Sequence, residues 1–158
     1  MIKKIFLLSV ISIALISTIR FVSADNDSGS EYILNKDQLI KQTLFKVSSK
    51  ITIDGEVNGD VYLIGKTIDI NGKINGNVFV AGEKVNFGNQ ATVSNSIFVA
   101  GEEVVNGSQS VGSNYVFASK FTTSSLFTTA GSLLAFVQDS TISGNILGDL
   151  FATGNKMN

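Results

Sequence analysis

A short motif returns along the chain at intervals of seventeen to nineteen residues, and it restricts the fold more than any other feature. Val61-Tyr62-Leu63-Ile64-Gly65 recurs as Val78-Phe79-Val80-Ala81-Gly82 and as Ile97-Phe98-Val99-Ala100-Gly101. Weaker copies follow at Val116-Phe117-Ala118-Ser119, Leu133-Leu134-Ala135-Phe136 and Leu150-Phe151-Ala152-Thr153-Gly154, and Leu44-Phe45-Lys46-Val47 opens the series. The copies read as starting at 44, 61, 78, 97, 116, 133 and 150, with spacings of 17, 17, 19, 19, 17 and 17. Ile142–Gly154 also aligns without a gap on Ile53–Gly65, with Gly144 on Gly55, Gly148 on Gly59 and Asp149 on Asp60.

Each repeat holds about three apolar alternations of two to five residues, separated by Gly, Asn and Ser. That leaves no room for a helix, and Val, Ile and Phe beside Gly and Asn favour strand and turn. The expected fold is all-β: a right-handed parallel β-helix of about six to seven triangular coils, stacked at about 4.8 Å. Corners repeated in every coil lead us to expect Gly and Asn in the left-handed conformation. The left-handed hexapeptide helix competes, because eighteen is three sixes. It needs an aliphatic residue at every sixth position, and the series Ile51, Val57, Leu63 meets Asp69.

Equivalent positions define columns along the rod. The first (Leu44, Val61, Val78, Ile97, Val116, Leu133, Leu150) and the third (Lys46, Leu63, Val80, Val99, Ala118, Ala135, Ala152) are expected to point inward. The second then points outward as an aromatic ribbon of Phe45, Tyr62, Phe79, Phe98, Phe117 and Phe151, with Leu134 in line. Rings one coil apart stack and stabilise the rod, and a contiguous apolar stripe also marks a contact surface; with the opposite parity the rings would fill the core. At the corner after each Gly, Lys66 lies over Glu83 and Glu102, and Lys84 over Glu103; these exposed pairs are worth at most about 1 kcal/mol each and disfavour register slips.

Composition limits the chemistry. The 158 residues include no Cys, His, Pro or Trp, and Arg20 is the one arginine. There is thus no imidazole base, thiolate nucleophile or soft metal site, and no enzymatic activity, cofactor or metal is expected. Asp54, Glu56 and Asp60 are the nearest approach to a carboxylate group, and they read as solvated turn acids. A secreted polysaccharide-degrading β-helix is the remote alternative. Pro would interrupt the ladders between coils, so its absence fits the repeat.

Lys3 and Lys4 precede an apolar run from Ile5 to Ile19, and Val22-Ser23-Ala24 supplies small residues before Asp25. Residues 1–24 read as a signal peptide cleaved after Ala24, the alternative being a membrane anchor through 5–19. The chain is therefore expected outside the cytoplasm. Residues 25–158 carry nine Lys against 13 acids, which disfavours nucleic acid as a partner.

The block Ile53-Asp54-Gly55-Glu56-Val57-Asn58-Gly59-Asp60-Val61-Tyr62-Leu63-Ile64-Gly65, repeated as Ile70–Gly82, resembles the bactofilin and polymer-forming cytoskeletal families. The resemblance spans about residues 40–158, strongest over 51–107. It implies a right-handed β-helix that assembles end to end into filaments, acting as a scaffold at membranes without a cofactor. Bactofilins proper are cytoplasmic; with its signal sequence this chain is more similar to exported relatives.

Residues 25–43, with Tyr32, Ile33, Leu34, Leu39 and Ile40 among polar residues, read as a linker, a degenerate first coil or a cap, and 44–158 as the β-helix, stopping partway through a coil. An uncapped end coil is adhesive. Leu150, Ala152 and Met157 are therefore the expected stacking surface for a second copy of the chain, with lateral contact through the ribbon and a membrane or cell wall as further partners. A surface adhesin or polysaccharide-binding module is the alternative function.

Overall fold

In the computed structural model, residues 31–157 are described; the proposed signal peptide, its cleavage after Ala24 and the anchor at 5–19 lie outside them. Those residues form seventeen β-strands and no helix. Every strand pairing is parallel, and the chain stacks as a β-solenoid of about seven turns.

Each full coil contains one long strand and one two-residue strand. The long strands are Val61–Ile70, Val78–Phe87, Ile97–Asn106, Asn114–Thr123 and Leu133–Thr141, stacked in order within one sheet. Their burial shows that each long strand serves two faces. In Val61–Ile70 the inward residues are Val61 and Leu63, then Ile68 and Ile70, so the alternation breaks around Gly65 and the strand folds over a corner. The short strands, from Leu39–Ile40 through Lys73–Ile74 to Asn145–Ile146, stack as the third face. Residues 31–47 join this stack: Glu31–Leu34 pairs with Lys50–Ile53, and Leu44–Val47 with the start of Val61–Ile70.

The strand register corrects the coil count in one place. Ile97 pairs with Asn114, and Asn114 with Leu133, so the starts are 44, 61, 78, 97, 114, 133 and 150. Asn114 stands in the first inward column where Val116 was expected, Val116 moves to the third, and Ala118 joins the corner beside Gly101. Two coils of 19 residues carry their extra pair at the corner before the short strand, where Ala91 and Phe127 turn inward and are fully buried.

A polar ladder explains that register. The residue before each long strand takes the backbone N–H of its counterpart one coil on. Asn77 N donates to Asp60 Oδ1 (2.7 Å), Ser96 N to Asn77 Oδ1 (3.3 Å), Ser113 N to Ser96 Oγ (3.2 Å), Ser132 N to Ser113 Oγ (3.1 Å) and Asp149 N to Ser132 Oγ (3.1 Å). A start at Val116 would put Tyr115 in this ladder, where its hydroxyl, at the far end of the ring, lies beyond reach of the backbone N–H that an Asp, Asn or Ser oxygen accepts. Ser113 fits, and it carries Asn114 inward.

The core is aliphatic through Ile51, Val57, Ile68, Ile74 and Val78, then turns polar around Asn106, Ser108, Ser110, Asn114 and Thr129. These groups satisfy one another, as buried polar groups must. Asn106 Nδ2 donates to Asn114 Oδ1 (3.2 Å), and Asn114 Nδ2 donates to Ser110 Oγ (2.7 Å) and Thr129 Oγ1 (3.0 Å). Thr129 Oγ1 in turn donates to Gly112 O (2.7 Å).

The corner glycines serve a purpose other than the expected one. Among the described residues the only positive φ belongs to Gly144, at 92°, and no Asn adopts the left-handed conformation. What the corners require is close approach between coils: a Cβ on Gly76 would lie 2.3 Å from Gly59 O and 2.5 Å from Gly59 C. Gly59, Gly112, Gly131 and Gly148 show similar closeness to backbone one coil earlier.

Candidate functional site

Two surfaces bring the expected contact residues together. The first is the outer side of the face formed by the opening residues of each long strand. Tyr62, Phe79, Phe98 and Tyr115 stack with ring centroids 4.7, 4.8 and 4.6 Å apart and planes within 5° of parallel. The parity is outward, since these rings are half-buried while Val61, Val78 and Ile97, which immediately precede Tyr62, Phe79 and Phe98, are fully buried. Phe45 heads the column opposite Tyr62, and Leu134 and Phe151 end it.

Phe117 is not in this ribbon. The corrected register gives its place to Tyr115 and moves Phe117 to the neighbouring outward column, Val47, Ile64, Ala81, Ala100, Phe117, Phe136. There it stacks on Phe136 at 5.3 Å and is 54 % exposed. Phe136 in turn meets Phe151 at 5.6 Å with tilted planes. The exposed face is therefore two apolar columns wide, where the sequence suggested one. A contiguous exposed apolar face of this width is a candidate contact surface.

The stacking geometry also bears on which ligands would fit the ribbon. Rings piled face on face present their edges outward. A sugar ring packs against an aromatic face, and in this column the faces of Phe79 and Phe98 are occupied by their neighbours.

The second surface is the last described coil. Leu150 stands in the first inward column above Leu133, and Met157 continues the inward column of Ile51, Ile68, Val85, Val104, Phe121 and Ser140. Leu133 is fully buried, whereas Leu150 and Met157 are each 55 % exposed; Ala152 is half-buried. Leu147 (67 %) and Phe151 widen the patch. The strands Asn145–Ile146 and Leu150–Thr153 are the outermost of their sheets, so their outer backbone groups lack a strand partner. The other end differs: Lys46, at an inward position, lays its ammonium 4.8 Å from the centroid of the Tyr32 ring, a polar cover worth about 0.5–1 kcal/mol. Burial raises the Tyr32 hydroxyl pKa above its ordinary value.

Charges run in register along the corner after the glycines. Lys84, Glu103, Lys120, Asp139 and Lys156 form one column of alternating sign. Within it Glu103 pairs with Lys120 at 3.0 Å; Lys84 lies on the other side of Glu103 and, among the described residues, makes no ion pair within 4 Å. The Lys120 hydrogen bond, and secondarily its charge, holds the Glu103 carboxyl below its usual pKa, with Lys84 adding to the effect. Lys50 is raised by its hydrogen bond and charge interaction with Glu31. The acids of the carboxylate candidate are dispersed among structural bonds. Asp54 accepts from Asn71 (2.7 Å), Glu56 from Asn75 (2.8 Å) and Lys73 (3.3 Å), and Asp60 from Asn77.

No family model matches the chain, and no curated protein or solved structure matches it either.

Proposed function

We propose that this protein is a non-enzymatic structural rod that acts outside the cytoplasm and self-assembles through the coil carrying Leu150, Ala152 and Met157, in the manner that its resemblance to the polymer-forming families implies. The observation that carries the reading is the exposure of core-column positions in the last described coil. Positions that are fully buried one coil earlier are half exposed there, beside unpaired strand edges. A second copy of the chain offers both missing partners, apolar side chains and backbone groups at the 4.8 Å strand spacing. Burying the exposed parts of Leu147, Leu150, Phe151 and Met157 contributes about 1 kcal/mol each. That sum is comparable to the lower estimates of the cost of association, about 4 kcal/mol, so strand pairing across the junction supplies the surplus. The edge-on ribbon supports a protein contact over the polysaccharide-binding alternative.

Electron microscopy of the purified protein at high concentration and varied salt tests this directly. Rods longer than one molecule are expected; monodisperse monomers throughout would overturn it.

A further inference from the structure

The outer face of the rod has a relief that the end-on reading leaves unused. In the exposed column beside the aromatic ribbon, Ala81 and Ala100 form a hollow two coils long. Phe117 and Phe136 form a ridge of equal length immediately after it, 54 % and 43 % exposed. Equal spacing makes hollow and ridge complementary to each other under one operation: rotation about an axis running along the strands, midway between the coils of Ile97 and Asn114. That rotation turns the rod end for end and keeps each column over itself. Ala100 then faces the partner's Phe117, and Ala81 faces the partner's Phe136.

We infer that two copies of this chain pair face to face and antiparallel through this surface, the Phe117–Phe136 ridge of each entering the Ala81–Ala100 hollow of the other. The ribbon column closes at the same time, with Phe98 against the partner's Tyr115 and Phe79 against the partner's Leu134. Such a contact is isologous, the commonest class among symmetric oligomers.

The bordering charges permit it. In the corner column flanking the face, Glu102 comes opposite the partner's Ser119 and Glu83 opposite the partner's Gln138, so each acid meets a neutral side chain. One like-charge approach, Asp60 toward the partner's Asp149, falls at the two extremities. An anionic lipid surface fits less well. The described residues hold nine Lys against eleven acids, and two of the acids, Glu83 and Glu102, stand on the rim. Six facing coils by four residues give a footprint of about 30 by 13 Å, roughly 400 Å² per partner. At roughly 800 Å² in total that falls below the roughly 1,000 Å² a stable specific interface clears, so the dimer is weak and transient and is expected to dissociate at tens of micromolar or above.

The inference is independent of end-on assembly and is tested with that contact blocked. In a Leu150→Glu background, sedimentation equilibrium of the full chain is expected to give a reversible dimer. Ala100→Phe sets ridge against ridge and weakens dimerisation at least about tenfold; Phe117→Ala empties the ridge and weakens it less. The double variant Ala100→Phe/Phe117→Ala exchanges ridge and hollow at that site, and it restores affinity to within about threefold of the background. Circular dichroism confirms that each variant is folded. A monomer at all concentrations in the background, a dimer indifferent to Ala100→Phe, or a double variant no better than Ala100→Phe alone each overturns the pairing. So does binding of a monomer to phosphatidylcholine–phosphatidylglycerol vesicles that Phe117→Ala abolishes, since the face would then belong to a membrane.

Discussion

Replacing Gly76 by Ala tests whether the corners depend on the absence of a side chain. The added Cβ would meet Gly59 O at 2.3 Å, Gly59 C at 2.5 Å and Asp60 N at 2.8 Å, all backbone. Ordinary carbon contacts begin near 3.4 Å, so the two coils must separate locally by nearly an ångström. Two hydrogen bonds span that junction, Asn77 N to Asp60 Oδ1 at 2.7 Å and Val61 N to Asn77 O at 2.8 Å, and both stretch when it opens. Overpacking costs about 1–3 kcal/mol and weakening the hydrogen bonds about 1 more, giving roughly 3 kcal/mol in all. For a domain of this size that lowers Tm by roughly 10 °C. Gly82→Ala is the control: its Cβ reaches only Gly65 O at 2.8 Å, then side-chain atoms at 3.3 Å, and a cost of about 1 kcal/mol is expected. Calorimetry and urea titration monitored by circular dichroism read both. Gly76→Ala unfolding within a degree of the parent, or Gly82→Ala proving the more harmful, would refute the close-approach argument.

Further outcomes follow from the same geometry. Asn114→Ala removes the centre of the buried network and strands Ser110, Thr129 and Asn106, so urea unfolding should show a loss of about 2–4 kcal/mol. Phe98→Ala breaks two ring stacks, at 4.8 and 4.6 Å, and should cost about 2 kcal/mol in thermal unfolding; Phe117→Ala breaks one looser stack and should cost about 1. Glu103 has a lowered folded-state pKa, so its contribution is present above the ordinary carboxylate value and disappears as pH falls through the lowered one. The urea midpoint of Lys120→Met should accordingly fall less on acidification than that of the parent. Lys50 has a raised pKa, so its link to Glu31 persists below the ordinary lysine value and is lost as pH rises through the raised one; Glu31→Gln should flatten the alkaline limb of the same titration.

The period and the inward columns were legible because burial imposes them. A position that repeats every 17 to 19 residues and points into the core has to be apolar in almost every coil. Reading failed at Asn114, where the core departs from that rule. Val116-Phe117-Ala118 imitates Ile97-Phe98-Val99 in composition, so apolar pattern alone selects it and sets Phe117 in the ribbon. The correct signal was also present: Asp60, Asn77, Ser96, Ser113, Ser132 and Asp149 each precede a strand and build the corner ladder. A small polar side chain able to accept a backbone N–H is as strict a requirement as an apolar one. The second exposed column was harder to see, because Ala81 and Ala100 read as neutral in any single coil; only the register sets them beside Phe117 and Phe136.

In the proposed assembly, the stacking that holds coil to coil within the chain also joins chain to chain at the last described coil. X-ray diffraction from an aligned concentrate of the purified protein, compared with Leu150→Glu, addresses it most directly. A sharp meridional reflection near 4.8 Å is expected from filaments of the parent, weakened and broadened in the variant as the stack shortens to single molecules. Equal sharpness in both, or no oriented scattering from the parent, would contradict it.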